Sequence, residues 1–168
     1  MQMWIDADAC PSDVKDVMFN VARRTGIPLT LVANSPVHIP RSDVIRFQLV
    51  KAGANVADQK IAEQVHADDL VITADIPLAN DVIAKGAYVV EPRGDLLDKN
   101  NIGSRLATRN FLEEFRAAGA QLGGPPPYSP KDKQRFANQI DRLISSIGRG
   151  RDGRDAPAGD GVDDSTKR

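Results

Sequence analysis

The chain of 168 residues has one cysteine, two histidines and one tryptophan. One cysteine excludes a disulfide framework and any zinc site built from several thiolates. Two histidines cannot supply a histidine-rich metal centre, and His38 and His66 read as surface or loop residues. Aromatic residues make up 5%, which argues against recognition of single strands by base stacking. No apolar stretch approaches the roughly 18 residues that span a bilayer, so no membrane association is expected. The start, Met1-Gln2-Met3-Trp4-Ile5-Asp6, has no basic segment and meets an acid at once, unlike a secretory signal. A cytoplasmic protein is expected.

What is present suits one domain with an irregular tail: 18.2 kDa, 41% apolar and 27% charged. The net charge of −1 hides an asymmetry. Residues 1–98 hold 14 acids and 9 bases, and residues 99–148 hold 4 acids and 8 bases. An acidic front and a basic back suit a metal site beside an arm for an anionic substrate. Chance imbalance in a small domain would look the same.

Short apolar runs alternate with helical stripes. Met3 to Ile5 reads as a strand. Pro11 and Ser12 then open a helix with Val14, Val17, Met18 and Val21 on one face and Gly26 as its stop. Leu29 to Ala33 reads as a strand buried on both faces. Val44 to Val50 alternates and reads as another, with Ile45, Phe47 and Leu49 on one side. Val56, Ile61 and Val65 suit one face of a helix. Leu70 to Thr73 and Ala87 to Val90 are further strands, separated by a helix that begins at Pro77 and ends at Gly86.

This order predicts an α/β fold with a parallel sheet. From residue 99 to 148 the character is helical, with Leu106, Phe111, Leu112 and Phe115 as one apolar face ending at Gly119. Past a Pro125–Pro127 connector, Phe136, Ile140, Leu143, Ile144 and Ile147 form another. Residues 149–168 have almost no bulky apolar side chains and are expected to be disordered. The division expected is therefore 1–98 as core, 99–148 as a helical extension packed on it, and a tail.

Parallel sheets place ligands beyond the carboxyl ends of their strands. Asp6 and Asp8 follow the first strand, Asp75 follows Leu70–Thr73, and Asp58 opens the helix after Val44–Val50. Carboxylate oxygens are hard ligands for Mg²⁺ or Mn²⁺, and crowded carboxylates need a cation or a proton to coexist. Asp8, Asp58 and Asp75 can equally cap helices; Asp6 caps nothing evident. Such a site needs no protein nucleophile, so the lack of a Ser/His/Asp or Cys/His set is no objection. Cys10 reads as a small residue at a strand–helix turn, although a helix N-terminus would lower its pKa. Asn34, Thr73, Arg93, Ser104, Arg105 and Arg109 are candidate substrate contacts, chiefly to phosphate. Each also has an ordinary reading as a turn, strand or solvated helix residue.

Ile5-Asp6-Ala7-Asp8-Ala9-Cys10-Pro11 resembles the signature of the bacterial YaiI/YqxD family of uncharacterised proteins. So do Val32-Ala33-Asn34, Gly53-Ala54-Asn55-Val56-Ala57-Asp58, and Asp69 to Ala79 with its Thr73-Ala74-Asp75. Gly86, Pro92-Arg93-Gly94, Arg109-Asn110-Phe111, Arg116, Gly119, Gly123-Gly124-Pro125 and Phe136 extend the likeness over about residues 3–147. The resemblance implies a PIN-like domain: a parallel sheet flanked by helices, with an acidic Mg²⁺ or Mn²⁺ site of the kind that cuts RNA, or flap DNA in related groups. Within it Asp6 matches the first-strand acid, Thr73-Ala74-Asp75 the T-x-D motif, and Asp58 a middle acid. For a further acid downstream, Asp81 and Asp95 are the candidates.

Three functions follow as expectations. The leading one is a metal-dependent nuclease acting on RNA, with Asp6, Asp8, Asp58 and Asp75 on the metal. The second is a haloacid-dehalogenase-type phosphatase that would use Asp6-Ala7-Asp8 as nucleophile and acid. The third is an inactive module that binds RNA or protein. No feature of the sequence sets an oligomeric state.

Overall fold

A computed structural model describes residues 1–152. In chain order its elements are β1 (Met3–Asp6), α1 (Ser12–Thr25), β2 (Leu29–Ala33), β3 (Ile45–Leu49), α2 (Val56–Gln64) and β4 (Leu70–Ile72). They continue with α3 (Ile76–Ala84), β5 (Tyr88–Val90), β6 (Leu96–Leu97), α4 (Ile102–Ala117) and α5 (Pro130–Asp152). The expected α/β class is what is found: one six-stranded sheet in the order β3-β2-β1-β4-β5-β6, with helices on both faces. β1 to β5 run parallel and β6 is antiparallel to β5.

β1 and β2 are buried at every residue, which is why each reads as an unbroken apolar run. Alternate residues of β1 face opposite layers. Met3 and Ile5 join Val14 and Met18 of α1 and Phe136 and Ile140 of α5 in one core. Trp4 joins Ile61 of α2, Leu78 and Val82 of α3 and Ile102 of α4 in the other. The helical region after residue 98 therefore divides between the two layers. Arg24 of α1 and Asp141 of α5 form an ion pair at 2.7 Å across one of them.

Several expectations shift. Leu49 ends an edge strand and is 61% exposed, so only Ile45 and Phe47 of that stripe turn inward. Phe111 and Phe115 of α4 are 57% and 46% exposed; their rings lie 4.9 Å apart and cover each other. Only Ile102 of α4 is fully buried. Residues 149–152 continue α5 where disorder is expected. The rest of the expected tail, 153–168, lies outside the described residues. No helix among the described residues is long and apolar enough to cross a membrane.

Order along the sheet reverses direction between β1 and β4. β1 leads through α1 to β2 on one side; β3 leads through α2 back across to β4 on the other. The loops beyond these two carboxyl ends therefore part, leaving a crevice at the switch point.

Candidate active site

Asp6, the last residue of β1, is 5% exposed at this crevice, and Thr73 just past β4 is fully buried beside it. The Thr73 hydroxyl donates to Asp6 Oδ2 at 3.3 Å and accepts the Asp75 backbone N–H at 3.0 Å. One β-branched side chain, stiff about χ1, thus fixes both acids. Asp75 is the N-cap of α3: its Oδ1 accepts the Leu78 N–H at 2.9 Å. It caps a helix and also lines the cleft that holds Asp6 and Asp58.

Asp58 does not cap. It sits in the first turn of α2, whose cap is Asn55 in the left-handed region at φ 64°. Its carboxyl approaches both Asp6 and Asp75. Asp8 does not cap α1 either. Its Oδ2 accepts the Asn34 N–H at 2.8 Å, and the Ser35 hydroxyl donates to its Oδ1 at 3.3 Å. It pins the loop after β2 to the loop after β1. All four acids, with Asn34 and Asn55, line one open cleft of about 370 Å³.

Burial raises the Asp6 carboxyl above its ordinary range, opposed by the Thr73 hydrogen bond and reinforced by the charges of Asp75 and Asp8. Asp58 is pushed up to about 7, first by burial and then by the charges of Asp6 and Asp75. The native cluster therefore holds a proton that the unfolded chain releases near pH 4. In chelator-treated protein, stability is expected to fall from about pH 4 to about pH 7 and then level off. Asp58→Asn should flatten that fall and make the protein more stable at pH 8. With a discount for solvent in the open cleft, the gain is on the order of 1 kcal/mol. Urea unfolding at pH 5 and pH 8 measures it; a native protein that gains stability over that range would contradict the clustering.

Cys10 is buried and its thiol is pushed up to about 12, chiefly by burial and further by the Asp6 charge. It stays protonated and is a packing residue at the turn.

The candidate substrate contacts are placed unequally. Asn34 lines the acid cleft. Arg109 lines the adjoining hollow with Asn55, Asp58 and Asp75, and has an exposed i,i+4 partner in Glu113 at 3.6 Å. Ser104 is exposed on α4 and lines neither. Arg93 is held by Asp132 at 2.8 Å and by the Pro126 carbonyl, and lies over the Tyr128 ring. Arg105 grips both oxygens of Glu91 at 2.6 Å. Of the downstream acids, Asp81 lines the hollow with Arg109, whereas Asp95 pairs with Arg135 at 3.1 Å.

Glu91 is the acid that sequence reasoning missed. It directly follows β5 at the same edge of the sheet and is 8% exposed. The rule that selects Asp6, an acid ending an apolar run, selects Glu91 after Val89-Val90 as well.

Among the described residues, no group of three or more His, Cys, Asp or Glu side chains is spaced to hold a metal ion as it stands. Mg²⁺, however, keeps several waters and takes one or two protein carboxylates. Asp6, Asp58 and Asp75 line one cleft and present the oxygen donors such an ion takes.

The model of an uncharacterised bacterial family, YaiI/YqxD, matches residues 4–146. A UPF0178 protein of Thioalkalivibrio sulfidiphilus is 54% identical over 145 residues, 86% of this chain and 99% of that protein. A UPF0178 protein of Shewanella amazonensis is 51% identical over 147 residues, 88% and 99% of the two chains. No solved structure gives a significant match. With nearly the full length of both relatives covered at about half identity, the chain belongs to the YaiI/YqxD family.

Proposed function

We propose that the protein is a metal-dependent nuclease that hydrolyses RNA phosphodiesters at the β1–β4 crevice. The observation that carries this reading is the convergence of Asp6, Asp58 and Asp75 on one cleft at the switch point of the sheet. Three carboxylates there oppose one another and destabilise the fold unless a cation or proton joins them. The parallel sheet with acids beyond β1 and β4 also supports the PIN-like assignment. A cytosolic setting, where RNA is met, suits a chain with one reduced, buried thiol.

In this reading Asp6, Asp58 and Asp75 hold Mg²⁺ or Mn²⁺, with Asp8 at the rim. When bound, the cation supplies an activated water and offsets charge on the phosphodiester. Thr73 locks the Asp6 carboxylate in place, and the α3 cap does the same for Asp75. Asn34 and Arg109 lie on the two flanks, where they can meet phosphate oxygens. A haloacid-dehalogenase-type mechanism would require Asp8 to give up a proton. Both Asp8 oxygens instead accept from Asn34 and Ser35.

Electron paramagnetic resonance of Mn²⁺ titrated into wild type, Asp6→Asn and Asp75→Asn tests the reading before any substrate is chosen. Both variants are expected to bind Mn²⁺ at least tenfold more weakly, a difference of about 1.4 kcal/mol. Cleavage of unstructured RNA in Mn²⁺ should be lost in parallel. Equal binding by all three proteins would overturn the assignment.

A further inference from the structure

A second hollow, of about 450 Å³, opens beside the acid cleft and shares Ala9 and Ala74 with it. Its size falls within the roughly 300–1,000 Å³ of small-molecule sites. We propose that this hollow receives the nucleobase next to the phosphodiester held at the acids, and that Glu91 reads a guanine edge there. The proposal rests on the nuclease reading for its context.

The walls are flat and largely apolar: Pro11, Pro92, Pro125 and the Tyr128 ring. The Tyr128 hydroxyl donates to the Pro92 carbonyl at 2.8 Å, and Arg93 lies over the ring with its guanidinium carbon 5.9 Å from the centroid. The ring is thus fixed before any ligand arrives. A fixed aromatic and proline faces are what a base stacks against at little entropic cost.

Two carboxyls stand among these walls: Asp95, half exposed and paired with Arg135 at 3.1 Å, and Glu91, whose side chain is 11% exposed. Arg105 Nη2 donates to both its oxygens. A carboxylate offers about four acceptor sites, so this single nitrogen leaves acceptor capacity on each oxygen. Two oxygens side by side match the N1–H and exocyclic N–H₂ of guanine. Adenine presents a bare N1 acceptor at that edge, cytosine pairs one donor with an acceptor, and uracil flanks its donor with two carbonyls. An unmatched acceptor facing a buried carboxylate is costly, so the discrimination is large.

Isothermal titration of the full chain with GMP, AMP, CMP and UMP tests this, in chelator so that no cation takes part. GMP is expected to bind at least tenfold tighter than AMP, with Glu91→Gln reducing that preference to twofold or less. Chemical shifts on wild type guard against a poorly folded variant. GMP should move the amides of Ala9, Gly94 and Tyr128. Equal affinity for the four nucleotides, or shifts confined to Asn34 and Asn55, would overturn the proposal. RNA cleavage that ignores base identity and survives Glu91→Gln would overturn it while leaving the nuclease reading in place. Guanine-selective binding without Mn²⁺ binding would support the base site while removing the nuclease.

Discussion

Replacing Gly94 with alanine is expected to destabilise the protein by about 3 kcal/mol and to lower its melting temperature by about 10 °C. Gly94 has φ +96°, a conformation that side chains with a Cβ adopt only under strain. A Cβ there would lie 2.8 Å from the Arg135 carbonyl carbon and 2.9 Å from the Phe136 nitrogen. Both are backbone atoms of α5, so no rotamer change makes room. The helix must shift, and Phe136, Ile140 and Leu143 are buried along it. Gly26→Ala is the control. It also has positive φ, +72°, but nothing stands within 4 Å, so its cost should be the backbone strain alone, about 1 kcal/mol. Thermal and urea unfolding of both variants measure the difference. Equal losses would mean that helix approach is not what requires glycine at position 94. The same turn carries Glu91 and Arg93 and is tied to the start of α5 through Asp132.

That tie shows where reading the sequence stops. Its acids were legible because burial leaves a plain signal: a strand covered on both faces is all apolar, so the Asp that ends β1 stands out. The same signal marks Glu91 after Val89-Val90, although the downstream acids expected were Asp81 and Asp95. Charge is legible, but pairing is not. Arg93 finds Asp132 39 residues later, and Arg105 finds Glu91 14 residues earlier, contacts fixed only by the packing of α4 and α5. Periodicity reported that α4 is amphipathic without reporting what covers its face, which is why Phe111 and Phe115 read as core and are not. β6 has two residues, too few for any period to show, and exists because β5 offers an edge to pair with.

Asp6→Asn and Asp69→Asn should change stability in opposite directions. Both acids are buried in the same sheet, 5% and 3% exposed, at opposite ends of paired strands. Asp69 accepts the backbone N–H groups of Gln2 at 2.8 Å and His66 at 3.0 Å, and the Trp4 indole N–H at 3.2 Å. Three donors converge on one carboxylate. An amide must turn its own N–H₂ toward one of them, leaving buried donors face to face, at a cost of about 2–3 kcal/mol. Asp6 has one hydroxyl donor, Thr73, and the like charges of Asp75 and Asp8 nearby. An amide there keeps the Thr73 bond and ends the repulsion. Metal-free Asp6→Asn should therefore unfold at higher urea than wild type at pH 8, yet hydrolyse RNA about 10³-fold more slowly in Mn²⁺. A side chain that lowers stability is retained for what it does, whereas one that raises stability is retained for the fold. If Asp6→Asn instead lost as much stability as Asp69→Asn, the acid ending β1 would be a structural anchor. The carboxylates would then need no cation, and the nuclease reading would lose the observation it stands on.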